Sequence, residues 1–572
     1  MDTSISKALH HYLKPDIKIT WETLEPYFLE LSKREISSET DLIKWLKDRS
    51  ELEAYLEEDF AWRYIHMTSD TTNDSYTQAF QFFAEEIEPK MAPWNDVLNR
   101  KLIESPFISS IQKAPYEIFL KRIENQIKLY REENIPLLTE LQVKQQEFGR
   151  ISGSMSVHIQ GKEYTMEQAS TFLKNQDRNL RQEAFEKIAE RRMQDKDKLN
   201  HLLKELIGLR QKVAKNAGFD NFRDYSFAAL GRFDYGPKET FEFQESIHQE
   251  IVPIMKDFAD KRRKSLGLAV LKPWDMEVDI SGKAPLKPFQ NGEELIEKSI
   301  ECFDRLDPYF GDCLKSMKKH GFFDVESRQG KSPGGYNYPL AESGAPFIFM
   351  NSAGAFRDLT TMVHEGGHAI HTFLTRDLSI NDFKHLTSEI AELASMSMEL
   401  LSMKYWDIFF PNSEDLKRAK EEQLVDVLKT FPWVAIIDRF QDRIYTQNLE
   451  NLNLEQTWNS IYQEFGAGFC DWTGYEEYRN HLWQKQLHIF EVPFYYIEYA
   501  IAGLGAIAVW KNFTENPDTA IQNYRRALSL GYTESISETY KTAGIKLDMS
   551  GRYISELAGF IKNQMMELEK AN

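Results

Sequence analysis

The chain has 572 residues, of which 42% are hydrophobic and 28% charged, the composition of a soluble globular protein with a sizeable buried core. Asp and Glu outnumber Lys and Arg by 89 to 70, and the net charge of −19 disfavours nucleic acid or an anionic membrane as a partner. The three cysteines lack metal-type spacing, and residues 1–21 contain no apolar segment of the secretory kind. We therefore expect a cytoplasmic location, whereas the sequence leaves the oligomeric state open.

The first third of the chain has a mainly helical pattern. In residues 1–150 apolar side chains recur every three or four residues, with many charged residues between them, most clearly in 39–67. This pattern predicts a scaffold of amphipathic helices. Residues 152–166 alternate polar and apolar positions around Gln160-Gly161 and predict a β-hairpin. Helices are expected again from residue 167 to about 217.

A proline-rich loop and a short strand follow. Residues 271–289 are punctuated by prolines and predict an irregular surface segment. Pro333-Gly334-Gly335 marks a turn, and the apolar run Pro346–Met350 predicts a strand. An exposed edge of this strand would hold an extended peptide by its backbone, although an ordinary core strand fits the pattern equally well.

Residues 358–373, DLTTMVHEGGHAIHTF, carry the strongest chemical signal. His364 and His368 are four residues apart, so on a helix both imidazoles face the same side and can bind one metal ion. Glu365, which follows the first histidine, is placed to act as a general base on a water that the metal activates. The two glycines before His368 weaken a helix by roughly 1 kcal/mol each relative to alanine, which indicates that something, such as a substrate backbone, packs closely there.

A catalytic zinc ion takes three protein ligands, and the next helical pattern supplies candidates for the third. Residues 388–401, SEIAELASMSMELL, have apolar side chains at helical spacing, so a carboxylate among them is buried and needs a partner such as a metal. Glu389 and Glu392 both qualify, and spacing does not separate them. Glu399, two turns past Glu392, is a candidate acceptor for the N–H of a ligand histidine.

His371 also looks like a ligand, because it follows His368 by three residues. It lies seven residues after His364, which is about 10 Å along a helix axis, so one ion cannot bind all three histidines. We therefore predict that His371 supports the site or the core and does not bind the metal. Helical patterns then continue through residues 406–469.

The C-terminal part contains a dense group of aromatic residues with polar tips, between His488 and Tyr499. Tyr496 and Tyr499 are three residues apart on a helical pattern, and His488 precedes them on a loop or turn. Peptide hydrolysis places negative charge on the carbonyl oxygen, and Tyr and His side chains often donate hydrogen bonds to that oxyanion. The same residues are equally compatible with a packed core. The run 493–510 predicts a buried helix and not a membrane span.

Several of these segments occur together in one known family. The chain resembles the thimet oligopeptidase and oligoendopeptidase F group of zinc metallopeptidases, most closely the bacterial oligoendopeptidase F and Pz-peptidase branch. The motifs that carry the resemblance are RFDYGP (232–237), PWDMEVDISGKAPLKPF (273–289), SPGGYNYP (332–339), MVHEGGHAIHTF (362–373), SEIAELASMSMELL (388–401) and HIFEVPFYYIEYAIAGLGAIAVW (488–510). The hairpin and the helices after it look like the N-terminal module of that family.

The resemblance assigns residues that spacing leaves open. In that family the third ligand is the glutamate of an E-x-x-S segment, which is Glu392 with Ser395 in this chain, and Glu399 matches a second acid seven residues on. The resemblance also implies oxyanion and substrate contacts from the C-terminal segment, at His488, Tyr495, Tyr496 and Tyr499.

The implied fold is mainly α: two helical lobes enclose a deep substrate channel, and a small β element lies near the zinc helix. We expect an N-terminal helical region at 1–110, an oligopeptidase module with the β-hairpin at 111–200, and a zinc metallopeptidase catalytic domain at 201–572.

The implied activity is that of a zinc-dependent oligoendopeptidase, with one Zn²⁺ per chain, which cleaves internal bonds of short peptides with Glu365 as general base. The residues expected to position the peptide are Gly334, Gly335, Tyr336, Phe347 and Tyr495. Two alternatives are a non-catalytic helical peptide-binding protein and a zinc exopeptidase.

Overall fold

The computed structural model describes residues 3, 5, 10–14, 17–447, 452–466 and 469–570. Within this described part the α-helices are, in chain order, α1 Trp21–Lys33, α2 Glu39–Ser69, α3 Asp74–Phe82, α4 Glu88–Ile103, α5 Glu117–Leu129, α6 Ile135–Gly153, α7 Met166–Ser170, α8 Arg178–Met193, α9 Lys196–Asn216, α10 Phe222–Ala229, α11 Pro237–Ser246, α12 Val252–Ser265, α13 Gly292–Leu306, α14 Pro308–His320, α15 Phe356–Thr375, α16 Ser388–Ser402, α17 Ser413–Thr446, α18 Leu454–Gly466, α19 Glu476–Asn480, α20 Leu487–Glu491, α21 Ile497–Glu515, α22 Pro517–Ser529, α23 Ile536–Thr542 and α24 Gly551–Lys570. The strands are β1 Ser156–Ile159, β2 Lys162–Thr165, β3 Phe323–Glu326, β4 Tyr336–Leu340 and β5 Ala345–Ser352.

The fold is therefore mainly α with small β elements, as predicted. Of the helical pattern expected over 406–469, α17 and α18 lie in the described part, whereas residues 448–451, 467 and 468 lie outside it. None of the helices in the described ranges is both long and apolar enough to cross a membrane.

The predicted β-hairpin is confirmed. β1 and β2 pair antiparallel, with Ile159 opposite Lys162 next to the turn. The turn residues Gln160 and Gly161 have left-handed φ values of 50° and 76°, which match the twist of a tight two-residue hairpin. The helices expected over residues 167–217 are α7, α8 and α9.

By its internal contacts the chain divides into two compact units, each built from three segments. Unit 1 comprises Met1–Lys128, Leu286–Glu421 and Ile501–Leu547. Unit 2 comprises Leu129–Pro285, Glu422–Ala500 and Asp548–Asn572. The predicted boundaries near residues 110 and 200 divide the chain by sequence pattern, and they stay a prediction.

Unit 1 contains a three-stranded sheet in which β5 is the central strand. β3 pairs with β5 in parallel, and β4 pairs with it antiparallel on the other side. Phe347 of β5 is buried in a cluster with Ala61 and Ile65 of α2. The strand predicted at 346–350 is therefore confirmed, and of the two alternatives left open for it the structure has the core strand and not the exposed edge, because β5 is paired on both sides. β3 and β4 are the two outer strands, and Pro339 is tolerated in β4 because an edge strand does not need every N–H.

A histidine between two carboxylates connects α2 to the segment after α15 in unit 1. His385 Nε2 lies 3.0 Å from Glu57 Oε2, and His385 Nδ1 lies 3.5 Å from Asp382 Oδ1. Burial opposes the charged ring, but hydrogen bonds to Asp382 and Glu57 outweigh it and raise the pKa of His385 to about 10. The folded state thus holds this proton more tightly than the unfolded chain does.

We predict that His385→Gln lowers the thermal midpoint at about pH 6 and has little effect at about pH 11. The stabilisation is complete below the ordinary pKa of 6.5 and is lost as the pH rises through about 10, where the folded protein releases the proton. Differential scanning calorimetry across this range is the measurement, with His201→Gln as a control because His201 is exposed. An equal drop in the thermal midpoint at both pH values would contradict the pairing of a charged His385 with the two carboxylates.

Unit 2 contains the hairpin and an aromatic core that holds α20. Trp458 and Trp483 are fully buried, and both rings contact Phe440 of α17. Phe490 of α20 stacks on Trp483 with ring centres 5.9 Å apart. This packing fixes the short helix that carries His488.

Candidate active site

The helix α15 carries His364, Glu365 and His368, and an aspartate fixes its start. The carboxylate of Asp358 accepts hydrogen bonds from the backbone N–H groups of Ala353 at 2.7 Å and Ala355 at 2.9 Å. These bonds set the direction in which the chain enters the helix, and the bond from Ala355 occupies the N–H of the N-cap residue.

Close packing between helices requires the two glycines of the motif. A Cβ at Gly366 would lie 2.5 Å from the ring of Phe303 in α13, and one at Gly367 would lie 2.6 Å from the Cα of Ser395 in α16. The backbones of α15 and α16 therefore lie against each other, which brings the candidate ligands of the two helices together. The close packing predicted for these glycines is confirmed, and within unit 1 the neighbours are other helices.

We expect Gly367→Ala to lower the thermal midpoint, because the new methyl group overlaps backbone atoms of α16; overpacking of this kind typically costs about 1–3 kcal/mol. Gly208→Ala in α9 is the matched control, since among the described residues no atom beyond its chain neighbours and the adjacent backbone of α9 lies within 4 Å of the position of its Cβ. There the substitution should stabilise the helix by roughly 0.5–1 kcal/mol. Thermal unfolding followed by circular dichroism compares the two, and equal stabilisation by both would contradict the backbone contact.

Three side chains of α15 and α16 converge on one point. His364 Nε2 lies 3.3 Å from Glu392 Oε2, and His368 Nε2 lies 3.7 Å from the same oxygen. Among the described residues these three form the group whose candidate ligand atoms all lie within 4.8 Å of one another. Donors about 2.0–2.1 Å from a tetrahedral zinc lie roughly 3.3–3.4 Å apart, so this group fits zinc with one position left open. Glu389 is not part of the group.

Two further side chains orient these candidate ligands. Glu399 Oε1 lies 2.7 Å from His364 Nδ1, so the opposite ring nitrogen faces Glu392. The hydroxyl of Ser395 donates to Glu392 Oε2 at 2.8 Å. The contact predicted for Glu399 is present, whereas the contact of Ser395 with the carboxylate was not anticipated from the sequence. Such supporting bonds fix a ligand's direction and tautomer.

We predict that Glu399→Gln keeps the fold but weakens zinc affinity by roughly 10–100-fold, the usual effect of removing a carboxylate behind a ligand histidine. The amide oxygen of the variant still accepts a hydrogen bond from His364 Nδ1. The amide has no negative charge, however, and so does not increase the basicity of the imidazole as the carboxylate does. Competition titration with a zinc-binding dye measures the affinity. Affinity equal to that of the unmodified protein would contradict the supporting role.

The electrostatics of the group favour a cation. Burial opposes ionisation of Glu392, but its hydrogen bond to His364 and the nearby His368 lower the pKa of Glu392 to about 2. Burial lowers the pKa of His368 to about 4, so its ring is neutral at pH 7. For His364, burial is outweighed by hydrogen bonds to Glu392 and Glu399, which raise its pKa well above the ordinary value. The carboxylates of Glu392 and Glu399 therefore make this point of the protein favourable for positive charge.

Glu365 lies beside this group and next to the outer strand β4. It is 7% exposed, and burial raises the pKa of Glu365 to about 7, although His364 and the backbone N–H of Asn337 act in the opposite direction. The side-chain amide of Asn337, in β4, donates to the backbone carbonyl of Glu365 at 3.5 Å. A carboxylate with a pKa close to neutral can both accept and return a proton.

The predicted peptide-positioning turn precedes β4. Gly334 has a φ of 99°, which only glycine adopts readily, and its carbonyl accepts a hydrogen bond from the Asn351 side chain at 2.9 Å. A Cβ at Gly335 would lie 3.4 Å from the carbonyl oxygen of Phe349. The turn is therefore tied to β5, and its contact with a peptide stays a prediction.

Tyr336 and Phe347 are largely occupied by contacts within unit 1. The Tyr336 ring stacks on Phe349 with centres 4.7 Å apart, and its hydroxyl lies 2.6 Å from Thr68 Oγ1. Phe347 is 6% exposed. Both side chains contribute to the packing around the sheet, and their substrate contacts stay a prediction.

His371 lies on α15 outside the ligand group. It is 1% exposed, and burial lowers the pKa of His371 to about 3. The ring is therefore uncharged at pH 7 and buried in the protein interior.

In unit 2, four rings of the C-terminal segment form a cluster. From the ring centre of His488, those of Tyr496, Tyr499 and Tyr495 lie 4.5, 6.0 and 6.2 Å away. His488 belongs to the short helix α20 and not to a loop, and Tyr496 precedes α21 by one residue. Burial raises the pKa of Tyr496 to about 12, so its hydroxyl keeps its proton at neutral pH and remains a donor.

Hydrogen bonds determine which nitrogen of His488 carries the proton. The indole N–H of Trp433, which can only donate, lies 2.9 Å from Gln486 Oε1. The amide nitrogen of Gln486 therefore faces His488 and donates to Nδ1 at 2.7 Å. Burial lowers the pKa of His488 to about 4, so the ring is neutral at pH 7 and its proton lies on Nε2. Sequence patterns gave no signal for Trp433 or Gln486.

Paired histidines with an adjacent glutamate on one helix and a carboxylate from the next helix are the arrangement of metal-dependent peptidases, here within a helical fold. The sequence matches Peptidase family M3 over residues 171–559 and the Peptidase M3 N-terminal domain over residues 15–130. The chain belongs to peptidase family M3, which confirms the resemblance seen in the sequence.

Individual relatives agree with this family. The "Oligoendopeptidase F homolog" of Borreliella burgdorferi is 23% identical over 404 residues, covering 70% of this chain and 67% of that protein. "Oligopeptidase PepF" of Bacillus subtilis is 24% identical over 385 residues, covering 66% and 55%. The alignments thus span about two thirds of these relatives or less.

Solved structures are similar over nearly the whole chain. "PZ peptidase A with inhibitor 2" gives a TM-score of 0.88 at 26% identity and covers 98% of both chains. A structure described as a putative oligoendopeptidase F gives the same TM-score and identity, with 97% of this chain and 98% of that one covered.

Proposed function

We propose that this chain is a zinc-dependent oligoendopeptidase that hydrolyses internal bonds of short peptides. The observation that carries the proposal is the convergence of His364, His368 and Glu392, with Glu365 beside them, in a member of peptidase family M3. The proposed ligands are two ring nitrogens and one carboxylate oxygen, with one zinc per chain. Zinc bound there would polarise the scissile carbonyl and lower the pKa of water from about 15.7 toward roughly 7.

In this proposal Glu365 handles the proton. Its carboxylate accepts a proton from the attacking water and then delivers it to the nitrogen of the departing amine. Burial raises the pKa of Glu365, which makes its carboxylate a stronger base than an exposed one. Glu399 and Ser395 hold the ligands in position through the bonds to His364 and Glu392.

His488 and Tyr499, with Tyr496, are proposed as donors to the oxyanion of the tetrahedral intermediate. The support is the resemblance to the family, the clustering of these rings in unit 2, and the hydrogen bonds that leave the proton of His488 on Nε2. Removing one oxyanion donor typically lowers kcat on the order of 10²–10³-fold. Tyr495, Gly334 and Gly335 are proposed to contact the peptide itself.

The proposed substrates are short peptides, and the proposed location is the cytoplasm, as the cysteine content suits a reducing compartment. Two other functions fit parts of the same observations. A helical peptide-binding protein would bind peptides at the same residues without cleaving them. A zinc exopeptidase would require a free peptide terminus.

The deciding experiment measures zinc content and the hydrolysis of an internally quenched peptide blocked at both ends, with and without a chelator. We expect one zinc per chain and chelator-sensitive internal cleavage. Bound zinc without cleavage of a diverse peptide set would favour the binding protein, and cleavage restricted to peptides with a free end would favour the exopeptidase. His488→Ala and Tyr499→Phe should each lower kcat about a hundredfold without loss of zinc.

A further inference from the structure

The turn between α20 and α21 has an unusual backbone for its sequence. Phe494 has a φ of 68°, a left-handed conformation that a residue with a bulky side chain avoids. Its side chain is 1% exposed, packed against Phe227 and Tyr445. Such conformations persist where the surrounding structure over-determines them, and they concentrate at functional sites. This turn separates His488 from the tyrosines of the same cluster.

Side chains from other elements of unit 2 hold the carbonyl groups on both sides of this turn. The pairs are Arg210 with Ile489 at 3.4 Å and also with Phe490, Gln145 with Glu491 at 2.7 Å, Ser226 with Pro493 at 3.3 Å, and Arg232 with Phe494. In addition, the N–H of Phe494 donates to Gln441 Oε1 at 3.0 Å. A run of six residues thus has almost all of its carbonyls fixed by donors from outside it.

Arg232 links the turn to the helix that follows it. Its side chain is fully buried, and it donates both to the carbonyl of Phe494 and to Glu498 Oε1, the latter at 2.9 Å. Glu498 lies in the first turn of α21, between Tyr496 and Tyr499 in the sequence. A planar guanidinium can bind both acceptors at once, which a lysine ammonium does less well. The ion pair between Arg232 and Glu498 therefore fixes the start of α21 relative to the turn.

We propose that Arg232, assisted by Arg210 on the other side of the turn, is a positioning residue that holds His488, Tyr496 and Tyr499 together as one set of donors. The inference rests on the oxyanion role proposed above. If the turn relaxed to an ordinary φ, the chain from Tyr496 to Tyr499 would leave α20 in another direction, and the ring distances of 4.5 Å and 6.0 Å from His488 would not be kept. Displacing donors by about 1 Å can cost on the order of 10² in rate.

The first test is Arg232→Gln, measured for kcat, KM, zinc content and thermal midpoint on the full chain with the doubly blocked peptide. Arg181→Gln is the matched control, because Arg181 is also buried and also binds a carboxylate, Asp275 at 2.9 Å, together with the carbonyl of Trp274 at 3.0 Å. We expect Arg232→Gln to lower kcat roughly 10–100-fold with zinc content unchanged, whereas Arg181→Gln loses stability but keeps kcat. Arg232→Lys should recover part of the loss, because it keeps a charge for Glu498.

The second test places Arg232→Gln in a Tyr499→Phe background. If Arg232 acts through the cluster, the further loss in the double variant is much smaller than the loss in the single variant, whereas fully additive losses would overturn the inference. Tyr499→Phe alone separates the two proposals. Full activity of Tyr499→Phe would defeat the oxyanion role, while loss in Tyr499→Phe with full activity in Arg232→Gln would defeat the positioning role alone.

Should Arg232→Gln fail to fold, Gln145→Ala gives an independent measurement. Gln145 is partly exposed and binds the carbonyl of Glu491, so its removal loosens the turn without leaving a buried charge. We expect a several-fold loss of kcat with little change in thermal midpoint. Unchanged kcat in this variant would overturn the inference.

Discussion

Replacement of Glu365 by glutamine is expected to leave zinc content unchanged and to remove nearly all turnover. The three candidate ligands are untouched, but an amide cannot take the proton of the attacking water or return it to the leaving amine. General acid–base groups typically contribute about 10²–10⁴-fold in rate, so kcat should fall by at least that lower figure. The measurement is kcat on the doubly blocked quenched peptide together with metal analysis of the same sample.

The control for this variant is Glu389→Gln. Glu389 is also a buried glutamate of unit 1, 1% exposed in α16, but it lies outside the ligand group. This control should retain both zinc and turnover. If Glu365→Gln kept more than about a tenth of the activity, the assignment of the general base would be wrong.

Replacement of Glu392 by alanine is expected to weaken zinc binding far more than replacement of Glu389 by alanine. Glu392 supplies an oxygen 3.3 Å and 3.7 Å from the two histidine nitrogens, and its loss leaves two protein ligands where zinc sites have three or four. Mutation of a residue that merely supports a ligand typically lowers metal affinity about 10–100-fold. Removal of a ligand itself should therefore lower zinc affinity more than about a hundredfold.

Zinc competition titrations of Glu392→Ala and Glu389→Ala provide the comparison. Glu389→Ala removes a side chain of the same size from the same buried helix, so it controls for damage to α16. Equal zinc affinity in the two variants would show that the third ligand has been misassigned. A lower affinity for Glu389→Ala would reverse the assignment.

Local patterns predicted the hairpin and the helices that carry the candidate ligands. The alternation around Gln160-Gly161 and the four-residue spacing of His364 and His368 are properties of consecutive residues, and the structure has the expected elements at both places. The glycines of α15 were also informative, since a helix keeps two such residues where a neighbouring backbone lies close.

Patterns along the chain could not determine which strand lies at an edge. The apolar run that forms β5 is the same whether one or both of its edges are paired, and its partners come from separate segments, β3 and β4. For the same reason the sequence did not reveal Gln486 and Trp433 around His488, because a hydrogen-bonded pair 53 residues apart leaves no periodic signal.

The sequence by itself determined the helical character of the chain, the spacing of the candidate zinc ligands on one helix, and, through its motifs, the family. These are local properties, and residue order fixes them. Spacing left Glu389 and Glu392 open as third ligand; the family motif favoured Glu392, and the tertiary structure brings Glu392 together with the histidines. Only the tertiary structure revealed that Ser395 donates to Glu392 and that buried arginines hold the strained turn at Phe494. Those choices depend on which helix faces and which backbones meet, and that is set by the close packing of distant segments.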